Sequence, residues 1–133
     1  MIRRFVLVLL IVFLSVSDID AQIYIGTMTV DDYTRKNVSV QIQPSSGPDK
    51  VSLILYDVKF AWLMPVTLNV KIDPITKKGN HLAADGIIPT NKEKRYNKYI
   101  IRQLEGCIEN NSIRFLCQMG KKKLTYNGIK KNE

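Results

Sequence analysis

The chain has 133 residues, of which 45% are hydrophobic and 24% are charged; this composition is ordinary for a globular protein and argues against disorder. The length predicts a single domain, because two domains would each be too small to build a core easily. Twenty Lys and Arg against twelve Asp and Glu give a net charge of +8, while one histidine and two cysteines leave few ligands for a transition metal. No metal or other cofactor is therefore expected.

Residues 1–21 have the pattern of a secretory signal peptide. Two arginines precede an apolar run over 5–14, and a polar stretch ends at Ala21, a small residue at the expected cleavage point. The alternative is an uncleaved membrane anchor, but that would need roughly 20 apolar residues. We therefore expect a periplasmic or secreted protein whose mature chain is 22–133 and which has no membrane span after the signal is removed.

The mature chain is predicted to consist of β-strands. Residues 38–42 and 66–72 alternate between apolar and polar side chains, which is typical of half-buried strands, and 51–58 is mostly apolar on both faces, as in a more enclosed strand. Clusters of Pro, Gly, Ser and Asn separate these runs, and no stretch has a sustained helical apolar stripe. The predicted strands, in chain order, are near 22–30, 36–43, 50–58, 65–73, 80–88, 97–107, 112–119 and 123–130.

The connections between these strands are mostly short, which suits hairpins and leaves no room for a helical crossover. Sequential antiparallel strands can protect their edges by closing into an up-and-down barrel or by folding into a sandwich. The meander-like spacing favours the barrel, so the predicted fold class is all-β, an eight-stranded antiparallel up-and-down β-barrel. Such a barrel is just wide enough to be filled by side chains or to hold one small ligand.

Several segments resemble a known family: Tyr24–Val30, the run Phe60-Ala61-Trp62-Leu63-Met64-Pro65-Val66 with the alternating Leu68, Val70 and Ile72, the run His81–Gly86, and the hairpin of Leu104–Cys107 with Ile113–Phe115. They are similar to the calycin-like (lipocalin-like) domain of small exported proteins from Bacteroides-type bacteria, over almost the whole mature chain. Thr67, where the family often has glycine, and a basic insertion at 92–98 depart from its pattern. The resemblance implies an eight-stranded barrel, export and a binding role. Its motifs are structural, so no functional residue carries over.

Positive charge is concentrated in the second half of the chain. Residues 22–88 hold seven basic and six acidic side chains, a net charge of +1, whereas 89–133 hold eleven basic and four acidic ones, a net charge of +7. One interpretation is solubility, since charged runs are often simply solvated. The other is an anionic partner.

Alternate loops of an up-and-down barrel leave at the same end. The first, third, fifth and seventh loops, 31–35, 60–64, 89–96 and 120–122, should therefore share one rim. That rim would combine an apolar mouth with cations, and its predicted ligand-binding residues are Trp62, Met64, Lys92, Lys94, Arg95, Lys121 and Lys122. Such a mouth suits a small apolar or anionic amphiphilic ligand, for example a fatty acid. The alternative is that Trp62 and Met64 plug the barrel and the lysines are solvated.

Cys107 and Cys117 flank the Asn110-Asn111 turn on neighbouring strands. A two-residue loop at that turn would pair Cys107 with Arg114 and place Cys117 on the opposite face. A three-residue loop, 111–113, would place the cysteines directly across from each other. Export permits a disulfide, and the alternative is a pair of free thiols packed as small apolar residues.

Catalytic signatures are missing from the sequence, and we expect no enzymatic activity. His81 is the only histidine and its neighbours form no catalytic motif, while Asp31, Asp32 and Asp85 have the placement of turn or strand-end carboxylates. No Gly-rich phosphate loop, nucleophile elbow or paired-cysteine metal motif is found.

A rival function is a protein- or anionic-polymer-binding module that uses the basic face of the last three strands, with a solid barrel core. Its partner would be an acidic protein or glycan. Tyr96, Tyr99 and Tyr126 lie near basic residues and could stack on bases, but export argues against a nucleic acid as the partner. A monomer is expected in either case.

Overall fold

The computed structural model describes residues 22–59 and 66–131. Their elements, in chain order, are β1 (Gln22–Val30), β2 (Tyr33–Pro44), β3 (Lys50–Val58), β4 (Leu68–Lys78), β5 (His81–Ala84), β6 (Thr90–Asn91), β7 (Lys94–Arg95), a 3-10 turn (Asn97–Tyr99), β8 (Ile101–Glu109), β9 (Ser112–Met119) and β10 (Lys122–Lys130). No helix within these residues is long and apolar enough to cross a membrane.

Eight of these strands close an antiparallel barrel. Each of β1 to β4 pairs with the next strand along the chain, β5 pairs with β8, β8 with β9, β9 with β10, and β10 returns to pair with β1. Closure leaves no unpaired edge of the kind that open sheets must protect. The predicted all-β, eight-stranded up-and-down barrel is confirmed.

A small hairpin, β6 with β7, is inserted between β5 and β8 and was not predicted. Thr90 of β6 pairs with Lys71 of β4, and the backbone N–H of Tyr96 donates to the carbonyl of Pro89, 2.9 Å away, which closes the base of the hairpin. The predicted strand 80–88 accordingly ends at Ala84. No alternating apolar pattern marks this segment, because the hairpin lies outside the main apolar core.

Two irregular positions explain why other predicted boundaries were inexact. Pro74 was expected to end its strand, yet β4 continues to Lys78 because Asp73 and Pro74 lie where the pairing with β3 shifts register, and proline's missing N–H is tolerated at such a place. In β8, Gln103 adopts a φ of 53° at a bulge, and its N–H donates to the Asp85 carboxylate at 3.0 Å. The bulge bends the strand near the end of the barrel.

The barrel interior is packed with side chains. One continuous cluster of buried apolar residues draws members from all eight barrel strands. Three aromatic side chains occupy it: Tyr24 and Tyr126 are almost completely buried, and the ring of Phe115 stacks on that of Tyr126 with centroids 5.3 Å apart. The Tyr126 hydroxyl donates to the carbonyl of Val38 at 2.8 Å, across the interior from β10 to β2. Burying each large apolar side chain contributes about 1.5–3 kcal/mol to folding.

A carboxylate ties the β2–β3 turn to β4. The hydroxyl of Ser52, which is buried, donates to the Asp73 carboxylate at 2.6 Å, and the hydroxyl of Ser45 donates to the same oxygen. Partial burial would raise the pKa of Asp73, but these two hydrogen bonds and the nearby charge of Lys71 outweigh it and lower the pKa below its usual value. The ionised carboxylate thus stabilises this end of the barrel.

Candidate functional site

Two of the four connections predicted to share one rim, the first and the seventh, lie at one end of the barrel. The N–H of Asp31, in the first loop, donates to the carbonyl of Lys123 at 2.9 Å, and the N–H of Gly120 donates to the carbonyl of Ile100 at the same distance. These bonds join the β1–β2 turn to the β9–β10 turn, and that turn to the segment before β8. The third loop, 60–64, lies outside the described residues.

Basic side chains from two of these connections meet around Gly120. Arg102 of β8 is opposite Gln118 of β9, and Gln118 is opposite Lys123 of β10, so the two cations occupy one row on the outer face. Lys98 and Lys121 extend the row towards the turns on either side of the Gly120–Ile100 hydrogen bond, and both are exposed. We call this cluster the basic rim; its members are Lys98, Arg102, Lys121 and Lys123.

The described members of the predicted ligand-binding set belong to two different elements. Lys121 belongs to the basic rim, and Lys122 is next to it but opposite the buried Met119, on the inward-facing side of β10. Lys92, Lys94 and Arg95 lie on the β6–β7 hairpin, which is attached to β4. The Nζ of Lys94 lies 5.4 Å from the centroid of the Tyr96 ring, within the range of a cation–π contact. Trp62 and Met64 lie outside the described residues, so the apolar mouth stays a prediction.

Sequence reasoning left Lys98, Arg102 and Lys123 out of the site. All three belong to the basic segment 89–133, so their charge was evident from the sequence. Whether their side chains come close together depends on the register of the strand pairing. A bulge between Arg102 and Glu105 shifts the pairing of β8 with β9, and the turn at Lys98 is fixed by the N–H of Tyr99, which donates to Tyr96 at 3.0 Å. Neither feature has a periodic sequence signal.

A shallow cavity of about 240 Å³ lies at the opposite end of the barrel. Inward-facing Ile42, Val51 and Ile108 contribute apolar surface, and polar side chains from the turns at that end, including Lys77, complete its lining. The ammonium of Lys77 donates to the carbonyl of Gly79 at 2.9 Å, so it already has a backbone partner. The cavity thus combines an apolar floor with a cation held in place by the turn.

The two cysteines are free thiols that face opposite sides of the sheet. The β8–β9 hairpin has the two-residue loop at Asn110 and Asn111, which pairs Cys107 with Arg114 and leaves Cys117 opposite Leu124 of β10. Cys117 is buried in the core, whereas Cys107 is only half-buried on the outer face. The disulfide between Cys107 and Cys117 was one of the two alternatives left open by the sequence. It is not formed, because only the three-residue loop would have placed the two cysteines directly across from each other.

The unreduced protein should contain one reactive and one protected thiol. Burial raises the pKa of the Cys117 thiol to about 12, so this residue supplies almost no thiolate at neutral pH. Titration with a chromogenic disulfide reagent at pH 8 should detect one thiol in the native protein, at Cys107, and two after denaturation. Detection of no thiol in the denatured, unreduced protein would show a disulfide and contradict the register described above.

The aromatic residues near the basic segments do not form a set of exposed rings. Tyr126 is 1% exposed, so it offers no face to a base, and Tyr96 and Tyr99 pack partly against the core. The stacking surface considered for Tyr126 from the sequence is therefore wrong, because its strand position points inward. Among the described residues, no group of three His, Cys, Asp or Glu side chains is placed to hold a metal ion.

No protein family, curated protein or solved structure matches this chain. The resemblance to the calycin-like family therefore stays a prediction.

Proposed function

We propose that the mature chain is an exported, non-enzymatic binding protein whose barrel is a scaffold and whose basic rim binds an anionic polymer, such as an acidic glycan. The observation that supports this most directly is the row of Arg102 and Lys123 on the outer face, extended by Lys98 and Lys121 on both sides of one backbone hydrogen bond. Clustered cations held by rigid strands attract polyanions over long range and bind them in a salt-dependent way.

The packed interior supports a surface site over an internal one. Tyr24, Phe115 and Tyr126 occupy the space that a ligand would need, and the Tyr126 hydroxyl is already satisfied by the Val38 carbonyl. An internal ligand would have to displace buried rings, at a cost similar to that of disrupting a core. A small anionic amphiphile inside the barrel is accordingly the weaker candidate.

The composition of the rim favours a polymer over an acidic protein. Protein interfaces are usually centred on buried aromatic or large apolar side chains. The described members of the basic rim are lysines and one arginine, and the large apolar side chains exposed elsewhere, such as Ile23 and Ile129, belong to the outer face of β1 and β10. Repeated anionic groups on a polymer need only an array of cations.

Two charge-reversal variants test the proposal. In the rim variant, Lys98, Lys121 and Lys123 are each replaced by glutamate; in the control, Lys78, Lys130 and Lys131, which lie at the opposite end of the strands, are replaced in the same way. Both variants lose the same charge, so bulk electrostatics affects them equally. With dextran sulfate as the probe, the rim variant should lose at least about tenfold in affinity, since each cation near an anionic surface contributes roughly 1 kcal/mol, and the control should lose much less.

Equal losses in the two variants would contradict a localised site, and unchanged binding by the rim variant would contradict the proposal altogether. Saturable binding of a fluorescent fatty-acid analogue that survives in the rim variant would favour the internal ligand instead. Binding of an acidic protein, but not of dextran sulfate, would place the partner in the other class of macromolecule.

A further inference from the structure

A groove of about 510 Å³ crosses the outer face of the barrel where β5, β8, β9 and β10 run side by side. It lies on the outside of the sheet and is separate from the packed interior. Its outward-facing lining includes His81, Glu105, Cys107, Arg114, Leu116 and Thr125. The volume is within the range of about 300–1,000 Å³ that is typical of small-molecule sites.

Side-chain length explains why a groove forms on this part of a barrel wall. The half-buried Cys107 and Thr125 are short and form the floor, whereas Glu105, Arg114 and Leu116 are longer, exposed side chains that form the walls. Pairing fixes their arrangement: Cys107 is opposite Arg114, and Glu105 is opposite Leu116. The walls are therefore held by the central pairing of two barrel strands, with no loop involved.

The groove presents two opposite charges that are not paired with each other. Neither the guanidinium of Arg114 nor the carboxylate of Glu105 has a hydrogen bond or ion pair with any residue in the described ranges 22–59 and 66–131. The two residues occupy diagonal positions of an antiparallel pair, and the Cα atoms of such positions are about 7–8 Å apart. Leu116 lies beside both, and 47% of its surface is exposed, so it offers apolar surface to a ligand.

We propose that this groove binds a short zwitterionic peptide of about dipeptide size. Its carboxylate would lie at the Arg114 guanidinium, which can donate two parallel hydrogen bonds, and its ammonium at the Glu105 carboxylate. An extended dipeptide spans about 7 Å, which is similar to the backbone spacing of the two diagonal positions. An apolar side chain of the peptide would cover Leu116.

Charge complementarity distinguishes this ligand from the alternatives. A simple anion would be attracted by Arg114 but repelled by Glu105. A simple cation would be attracted by Glu105 but repelled by Arg114. Only a ligand with both charges satisfies both groups at once. The groove does not include the basic rim, so this inference goes beyond the anionic-polymer proposal and does not depend on it.

Cys107 makes the groove directly testable, because its thiol is in the floor and the other cysteine, Cys117, is buried. Alkylation of the mature protein by iodoacetamide should be slowed in a saturable way by leucyl-leucine. N-acetyl-leucyl-leucine lacks the ammonium and leucyl-leucinamide lacks the carboxylate, so each should need at least about a tenfold higher concentration for half-protection, as expected for loss of one charge-assisted hydrogen-bonded contact.

Three variants complete the test. Arg114→Gln and Glu105→Gln should each raise the half-protecting concentration of leucyl-leucine about tenfold, and equilibrium dialysis of labelled leucyl-leucine should show the same change independently of thiol chemistry. Lys36→Gln is the matched control, because Lys36 is an exposed cation outside both the groove and the basic rim, and it should leave the value unchanged. Absence of saturable protection, equal action of the capped peptides, or an equal effect of Lys36→Gln would overturn the proposal.

Discussion

Replacement of Gly26 by alanine should destabilise the protein by about 3 kcal/mol or more, the upper range of overpacking effects in protein cores. A methyl group at this position would lie 1.9 Å from the carbonyl oxygen of Asn127 and 2.4 Å from the Cα of Gly128. Both atoms are backbone, so no rotation of a side chain can relieve the clash. The strands themselves would have to separate.

The position of this clash makes it more damaging than a similar one elsewhere. Gly26 of β1 pairs with Gly128 of β10, and these are the first and last strands, whose pairing closes the barrel. Separating them would expose hydrogen-bonding groups on two strand edges as well as the apolar core beneath. Because domains of this size are stable by only about 5–15 kcal/mol, a loss of this magnitude removes a large part of the total.

Urea denaturation of Gly26→Ala against the wild type measures the effect, and Gly79→Ala is the matched control. Gly79 has a φ of 59° but nothing within 4 Å of an added methyl group, so its cost should be only the left-handed backbone penalty of about 1–2 kcal/mol. Hydrogen exchange in β10 should also accelerate in Gly26→Ala. A loss no larger than that of Gly79→Ala would show that the first and last strands are not tightly closed at this point.

The barrel was predictable because its strands carry a strong local signal. Val38, Val40 and Ile42 alternate with polar residues, and the structure buries all three. Short connections then left few alternatives to a meander, and closure follows from the need to protect edges. Such regularities are written in neighbouring residues, so a single sequence is enough to reveal them.

The candidate sites were less predictable, because they depend on pairing between distant residues. Cys107 lies next to Arg114 only because the hairpin loop has two residues, and the sequence was equally compatible with a three-residue loop. His81 reaches the same groove from β5, through its pairing with Cys107. A one-residue change of register would move these side chains to the other face of the sheet. The basic rim has the same origin, since the bulge after Arg102 sets its register with β9.

The groove and the basic rim also place different demands on the scaffold. The groove is built on the central pairing of β8 with β9, where Gly106 to Glu109 are in unbroken register with Ser112 to Phe115. The basic rim lies beyond the bulge, where the turns meet. Substitutions at the rim should therefore leave the groove intact, which is why the two proposed activities can be tested separately in one protein.

Truncation of Tyr126 to alanine should destabilise the barrel by about 3–5 kcal/mol, as for other large aromatic side chains removed from cores. Its ring is 1% exposed, stacks on Phe115 and lies against Gly128, where an added methyl group would be 2.6 Å from the hydroxyl oxygen. Its loss would leave a cavity that the surrounding strands can fill only by moving together. Thermal or urea denaturation measures the change.

Tyr126→Phe isolates the hydroxyl from the ring. It removes the 2.8 Å hydrogen bond to the Val38 carbonyl and keeps the packing, so the loss near neutral pH should be about 1 kcal/mol. A loss as large as that of Tyr126→Ala would show that the hydrogen bond, and not the ring, dominates at this position.

The same pair of proteins should respond differently to alkaline pH. Burial raises the pKa of Tyr126 above its ordinary value near 10, because the ionised phenolate would be desolvated. The folded state therefore holds this proton more tightly than the unfolded state, and the contribution is complete below about pH 10 and is lost progressively as the pH rises above it. Tyr126→Phe has no such proton. The stability difference between wild type and Tyr126→Phe, measured by urea denaturation, should thus shrink above about pH 10, and a difference that stays constant would show that the phenol is not desolvated in the folded barrel.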